Sequence, residues 1–492
     1  MADINLGVGG ANSAVGGYDI ANSLKLEANN SEYMKRVMTA TGNRKTFTIS
    51  VWLKRTELQA GAADGFGHTF FLGGNGGTGT AVHLRFKTGT PNSDALLFKI
   101  NTGTDNVTNR VFRDTSAWYH IVLAVDTTQA TASDRLKLYV NGVQETSFAT
   151  INYPTQNSDT QNNFSQSATY GQEIGAYESG GTYYGKFCGY LAEYNHIDGQ
   201  ALAPTEFGGF DEDSGIWKPK AYEGTYGTNG WYLDFVDAAN LGDDVSGNGN
   251  DFTLNNISSG DQAADTPTNN FAIYNQLIPK DEFIIYQGGT RTQKTTATRW
   301  RTVASTLAVA NGKWYAEFQN SLYSVTGTNR MVGVAPASIF TKSSSSTGGY
   351  LGGNSTETTD SIGFYSINGR YYINVNSFVW GNAWTADEII GVALDMDNGY
   401  VYFSINGTWQ NSGDPTSGSS GTGGIALQLS DEAHYIAGSI YNSNAQLEVN
   451  YGGFTVMSIA SGNADANGYG NFEYVPPSGY YALCTKNLAE FG

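Results

Sequence analysis

A short alternating strand that runs straight into Asn-Gly constrains this chain more than any other feature. Arg135-Leu136-Lys137-Leu138-Tyr139-Val140 alternates apolar and polar side chains and then meets Asn141-Gly142. The device recurs at Asn406-Gly407, after Val401, Phe403 and Ile405, and at Asn368-Gly369. Asn-Gly supplies the two positive φ values of a type I′ turn, whose twist matches that of paired antiparallel strands. Phe47-Thr48-Ile49-Ser50-Val51-Trp52-Leu53 alternates likewise, placing Phe47, Ile49, Val51 and Leu53 on one face. Strands spaced by such turns predict antiparallel β-sandwiches, an all-β fold, rather than alternating strands and helices. Composition agrees, since 62 Gly and 31 Tyr against 15% charged residues suit short strands joined by tight turns. Only Pro204-Thr205-Glu206-Phe207 and the surroundings of Ala386-Asp387-Glu388 look helical, each for a turn or two.

A chain of 492 residues is too long for one core, so it is expected to divide. Residues 1–18 read as a flexible Gly- and Asn-rich arm, and residues 19–210 as a first sandwich. Residues 211–275, rich in Asp, Gly and Asn, read as an extended connector with a few strands such as Trp231-Tyr232-Leu233-Asp234-Phe235. Residues 276–475 form a second strand-rich block, and residues 476–492, with Pro476-Pro477-Ser478-Gly479, an irregular tail.

The formal charge of −18 argues against nucleic-acid binding, which needs a basic stripe, and against docking on anionic lipid. No stretch approaches the roughly 18 apolar residues of a membrane-spanning helix. The N-terminus lacks the basic and apolar regions of a secretory signal, so the protein is expected to be made in the cytoplasm and released by another route. Cys188 and Cys484 are too few for a disulfide framework. Cys188 lies in the apolar run Phe187-Cys188-Gly189-Tyr190-Leu191, which predicts a buried free thiol.

Four segments resemble the laminin-G-like branch of the concanavalin-A-like superfamily: FTISVWLKR (47–55), WYHIVLAVDTT (118–128), DRLKLYVNGV (134–143) and FCGYLAEYNHIDGQALAPTEFG (187–208). Residues 311–453 resemble a SPRY domain through GKWYAEF (312–318), MVGVA (331–335), SIGFYSINGRYYIN (361–374) and IIGVALDMDNGYVYFSINGTWQNSGD (389–414). In the last stretch Gly391, Leu394, Asp395, Gly399, Phe403, Asn406 and Gly407 occupy that family's usual positions. Ala386-Asp387-Glu388 departs from it, because a Gly more often precedes the acidic residue there. The resemblances imply two concanavalin-A-like, jelly-roll sandwiches in tandem. Their arrangement, with FDEDSGIWKPKAYEGTYGTNGWYLDF (210–235) and SGNGNDFTLNN (246–256) between them, resembles structural proteins of tailed bacteriophages. It implies a virion surface protein, a homo-oligomeric tail fibre or adhesin that binds host glycan or protein. The arm would anchor it to other virion proteins. The alternatives are a capsid-decorating or tail-assembly protein and, last, a glycan depolymerase.

Retaining glycosidases on this scaffold carry Glu-x-Asp-x-x-Glu on one strand, which sets two carboxyls about 5–5.5 Å apart. No Glu-x-Asp occurs in this chain, so a non-catalytic protein without a cofactor is expected. The five histidines never fall within five residues of one another, which leaves no helical zinc motif. Gly74-Asn75-Gly76-Gly77-Thr78-Gly79 and the run from Gly180 to Lys186 mimic phosphate loops, but strand-like sequence or Phe187 follows where a helix or a hydroxyl is required. Asp244, Ser246 and Asn248 present oxygens at alternate positions, a weak calcium pattern that lacks the closing Glu. The same residues also fit a turn hydrogen-bonded to its own side chains. Loop aromatics are the remaining candidates for glycan or partner binding: Tyr177, Tyr183 and Tyr184 at a glycine-rich tip, and Trp380 and Trp384 around Gly381-Asn382-Ala383.

Overall fold

Alternation along a strand gives each strand one apolar face, and the structure buries those faces between facing sheets. The computed structural model describes residues 17–58, 67–74, 81–100, 105–165, 171–277, 283–295, 299–320, 329–340, 349–353, 361–428 and 432–492. The described residues from Tyr18 on form two units, 18–268 and 269–492. Residues 1–16, most of the expected arm, lie outside the described residues, as do residues 75–79 of the first phosphate-loop mimic.

In the first unit, one antiparallel sheet is centred on Thr46–Arg55, flanked by Trp118–Asp126 and Gly189–Asp198. The facing sheet runs from Phe148–Thr150 through His68–Gly74 and Gly171–Ile174 to Tyr33–Val37. Phe47, Ile49, Val51 and Leu53 all lie in the core between them, as their alternation predicts. The Leu136–Val140 strand turns through Asn141 (φ 48°) and Gly142 (φ 77°), the expected type I′ geometry.

The expected connector is absorbed by both units. Trp231–Leu233 pairs with Gly189–Asp198, Thr253–Asn255 pairs with Tyr33–Val37, and Gln262–Ala263 pairs with Ser23–Leu26. Trp231 is fully buried and packs edge-on against Tyr194 and Phe252. Asp265 reaches Lys54 at 2.7 Å with both side chains buried, and its other oxygen accepts from Trp118 Nε1 at 3.0 Å. Asp261 pairs with buried Lys25 at 2.6 Å. Residues 269–275 belong to the second unit, where Phe271 bridges to Cys484 and Tyr274 to Ser305. The segment reads as a linker because its strands are three residues or fewer, too short to show alternation, and its acidic residues serve as buried partners.

The second unit is also a sandwich. One sheet centres on Lys313–Gln319 and Ile390–Asp395, the other on His434–Ile440 and Arg330–Pro336. Tyr400–Ile405 turns through Asn406 (φ 47°) and Gly407 (φ 76°) as expected. Asn368-Gly369 does not. Four residues separate Ile362–Tyr365 from Arg370–Ile373, and of that Asn-Gly pair only Gly369 has positive φ. Pro204–Glu206 is a 3-10 turn, whereas Ala386-Asp387-Glu388 is a turn with Asp387 at φ 67° rather than a helix. The expected irregular tail is structured: Tyr481–Ala482 pairs parallel to Lys313–Gln319, and an α-helix spans Thr485–Phe491. Buried Asp465 ties this segment down, accepting from Ala482 N at 2.9 Å and Asn487 Nδ2 at 2.7 Å. Phe491 stacks on Tyr481 with ring centroids 3.8 Å apart.

Leaving one member of a buried ion pair without its partner costs about 3–5 kcal/mol. Asp265→Asn in the full chain should therefore lower the unfolding free energy of the first unit by that order in denaturant melts. A change below about 0.5 kcal/mol would show that the segment is not part of the fold.

Candidate functional site

The expected tyrosine tip is a hairpin in which Tyr177–Ser179 pairs with Thr182–Tyr184. Gly180 (φ 62°) and Gly181 (φ 82°) make its two-residue turn, so the second phosphate-loop mimic is a β-hairpin. The three rings part company. Tyr177 is 8% exposed and packs with Leu72 and Ala81, so it is core rather than a surface ring. Tyr184 is half-buried and packs against the same cluster. Tyr183 stacks on Tyr33 with centroids 3.9 Å apart and planes 20° apart.

That stack lines an open groove of about 580 Å³, with Lys35, Val37, Asp251 and Asn255 among its walls. Alternation along Tyr33–Val37 explains the arrangement: Met34 points into the core while Tyr33, Lys35 and Val37 face outward. Thr253 lies opposite Lys35, and Asn255 opposite Tyr33. One wall is therefore an edge strand from the segment that reads as a connector. Lys35 is held by buried Glu173 at 3.2 Å, and Asn255 Nδ2 donates to Ser31 O at 2.9 Å. Burial, then the neighbouring Tyr183, pushes Tyr33 up to about 12, so its hydroxyl stays protonated near neutrality. Two stacked phenols beside a lysine, an aspartate and an asparagine can pack on a ring face while offering donors and acceptors.

Beside the groove, the calcium candidates form a closed network. Asp244 Oδ1 accepts from the backbone N–H of Tyr232 (2.9 Å) and Ser246 (3.0 Å), and Oδ2 from that of Asn250 (2.7 Å). Ser246 Oγ accepts from Asn248 N at 3.3 Å, and Asn248 Nδ2 donates to the carbonyls of Gly227 and Gly230. This is an Asx turn holding the loop around buried Arg36, not an open oxygen cage. Burial lowers Arg36 to about 10 against the pull of Asp244, Asp198 and Asp251, so it remains a cation at neutral pH.

Glu193 sits at a bulge in the Gly189–Asp198 strand, with both carboxyl oxygens accepting from tyrosine hydroxyls, Tyr232 and Tyr18, at 2.8 Å each. Burial raises it to about 7 in spite of those two bonds. Its oxygens are engaged by phenols rather than held ready for a substrate.

In the second unit one tryptophan belongs to the core and the other packs against it. Trp384 is 3% exposed, and Trp380 packs edge-on to Phe364 and Phe403 at 5.4 and 5.8 Å. Trp384 is thus part of the sandwich interior, and half-buried Trp380 packs against it. Sequence reading missed a different aromatic group, on the outer face of the second sheet. Trp300 contacts Tyr350, Tyr365 and Tyr441 with centroids 5.4–5.9 Å apart, and Tyr372 meets Tyr365 at 5.7 Å. Alternation in Phe364-Tyr365 and Tyr371-Tyr372 carries the signal: Phe364 and Tyr371 face the core, while Tyr365 and Tyr372 face out.

The comparisons agree with this architecture. Residues 29–186 match the profile of the concanavalin A-like lectin/glucanases superfamily (its third laminin-G group), and residues 313–452 match that of the SPRY domain. No curated protein matches the chain. Among solved structures, the SPRY domain of human HERC1 aligns at 12% identity over 34% of this chain and 91% of its own, with a TM-score of 0.26. The TRIM65 PSpry domain aligns at 11% identity over 36% and 91%, again at 0.26.

Trp384→Ala should cost about 3–5 kcal/mol in denaturant melts, and Tyr183→Ala much less; equal costs would place Tyr183 in the core. Glu193 has a raised folded pKa, so its contribution to stability is fully present below about 4.5 and is lost as pH rises through about 7. Glu193→Gln should therefore gain stability over the parent between those limits, as measured by melts across pH. A difference that does not change with pH would contradict the burial of this carboxyl.

Taken together, the strand register, the closed cores and the two matched profiles identify a chain that carries a concanavalin A-like domain followed by a SPRY domain.

Proposed function

We propose that the protein is a non-catalytic recognition protein on the surface of a phage particle, where the first domain binds a host cell-surface glycan. The observation that carries this reading is the groove with the Tyr33–Tyr183 stack beside Lys35, Asp251 and Asn255. Sugars offer flat C–H faces and many hydroxyls, which stacked phenols and short polar side chains complement. The superfamily's name joins lectins and glucanases, and the lack of Glu-x-Asp favours the lectin side. The phage setting is supported by the tandem arrangement and its intervening segments, and the homo-oligomer by the avidity that repetition gives to weak sites.

Stacking at a hot spot contributes about 1–3 kcal/mol. The double variant Tyr33→Ala, Tyr183→Ala in the full chain should bind isolated host envelopes at least tenfold more weakly, with its melting temperature within a few degrees of the parent. Unchanged binding by a folded variant would contradict the assignment of the groove. Purified particles should contain the chain by mass spectrometry, and its absence from them would overturn the virion setting.

A further inference from the structure

One end of the first sandwich holds a group of side chains that the glycan reading does not use. Glu57 follows the Thr46–Arg55 strand, His68 opens His68–Gly74 in the facing sheet, and Cys188 immediately precedes Gly189–Asp198. A carboxylate oxygen of Glu57, a ring nitrogen of His68 and Cys188 Sγ all lie within 4.8 Å of one another. Among the described residues no other set of three His, Cys, Asp or Glu side chains meets in this way. His68 is 2% exposed, and its Nδ1 has no hydrogen-bond partner. A buried nitrogen without a partner normally costs free energy, so it calls for an explanation such as a ligand. Buried Glu27 stands next to the group, with Oε1 3.7 Å from Cys188 Sγ.

We infer that Glu57, His68 and Cys188 form a site for a zinc-class divalent cation, with Glu27 or a water completing four-coordination. One sulfur, one nitrogen and one carboxylate oxygen suit a borderline cation such as Zn²⁺ or Co²⁺ and not Ca²⁺ or Mg²⁺, which take oxygen ligands. Tetrahedral bonds of about 2.0–2.3 Å hold ligand atoms about 3.3–3.6 Å apart for one sulfur with nitrogen and oxygen, so the three groups need to close by about 1.5 Å at most. The metal would tie the two facing sheets together, because His68 comes from one and Glu57 and Cys188 from the ends of the other. Binding displaces the thiol proton of Cys188, which burial and the neighbouring Glu27 and Glu57 hold on the sulfur when no metal is bound.

Titrating the metal-free full chain with Co²⁺ should give a thiolate-to-metal charge-transfer band that saturates at one Co²⁺ per chain and is displaced by one equivalent of Zn²⁺. Cys484→Ala should keep the band, and Cys188→Ala should lose it. Zn²⁺ should raise the melting temperature of the parent by several degrees and leave that of Cys188→Ala unchanged. The absence of a band in the parent, or an equal band in Cys188→Ala, would overturn the assignment. Should Cys188→Ala fail to fold, the near-isosteric Glu57→Gln decides the matter: tenfold or weaker binding is expected, and unchanged affinity contradicts the site.

Discussion

The buried pair between Lys54 and Asp265 is the constraint on which the first domain depends. Lys54 lies on the central strand of its sheet, with no exposed surface. Burial lowers its pKa and Asp265 opposes that shift, so the ammonium is tolerable only with the carboxylate in place. Asp265 is also held by Trp118 Nε1. Replacing such a pair with apolar residues can be neutral, but losing one member is not. The strand therefore commits residues far along the chain to return to it. Asp261 does the same for Lys25. These pairs bring Thr253–Asn255 to the edge of the facing sheet, where it forms a wall of the groove. The same ionic contacts that close the fold thus position a wall of the groove.

That dependence explains how polar sequence can be structural. Asp244 caps three backbone N–H groups, Asn248 and Asn250 donate to loop carbonyls, and Arg36 sits at the centre of the network. None of these contacts adds a large apolar area, yet each satisfies a backbone group that burial would otherwise leave orphaned. In the second domain Glu317 plays the equivalent part, accepting from Glu473 N and Tyr474 N to fasten the C-terminal segment. Burial raises its pKa while those bonds lower it.

The all-β class, the two sandwiches and two of three Asn-Gly turns were legible in the sequence because alternation and type I′ chemistry are local signals. Residues 211–275 were not. Their strands are too short for a period to register, and Lys54 and Lys25, the ion-pair partners of Asp265 and Asp261, lie more than two hundred residues away. Of the five aromatic candidates, Tyr183 alone lines the groove beside Tyr33, and sequence could not separate it from Tyr177 because both lie in one hairpin and differ only in the face they present. Trp380 and Trp384 read as loop rings, yet the loop folds Trp380 back onto Phe364 and Phe403 and buries Trp384 in the core. Tyr33, the other half of the stack, lies 150 residues before Tyr183 and carries no motif.

The polar segment from residue 211 to 268 is an integral wall of the first domain rather than a linker. Hydrogen exchange on the full chain tests it most directly. Amides of Trp231–Leu233 and Thr253–Asn255 should be protected within an order of magnitude of those in the central Thr46–Arg55 strand, because they open only when the sandwich opens. Exchange of those amides at the rate of an unstructured peptide, with Thr46–Arg55 still protected, would contradict the account.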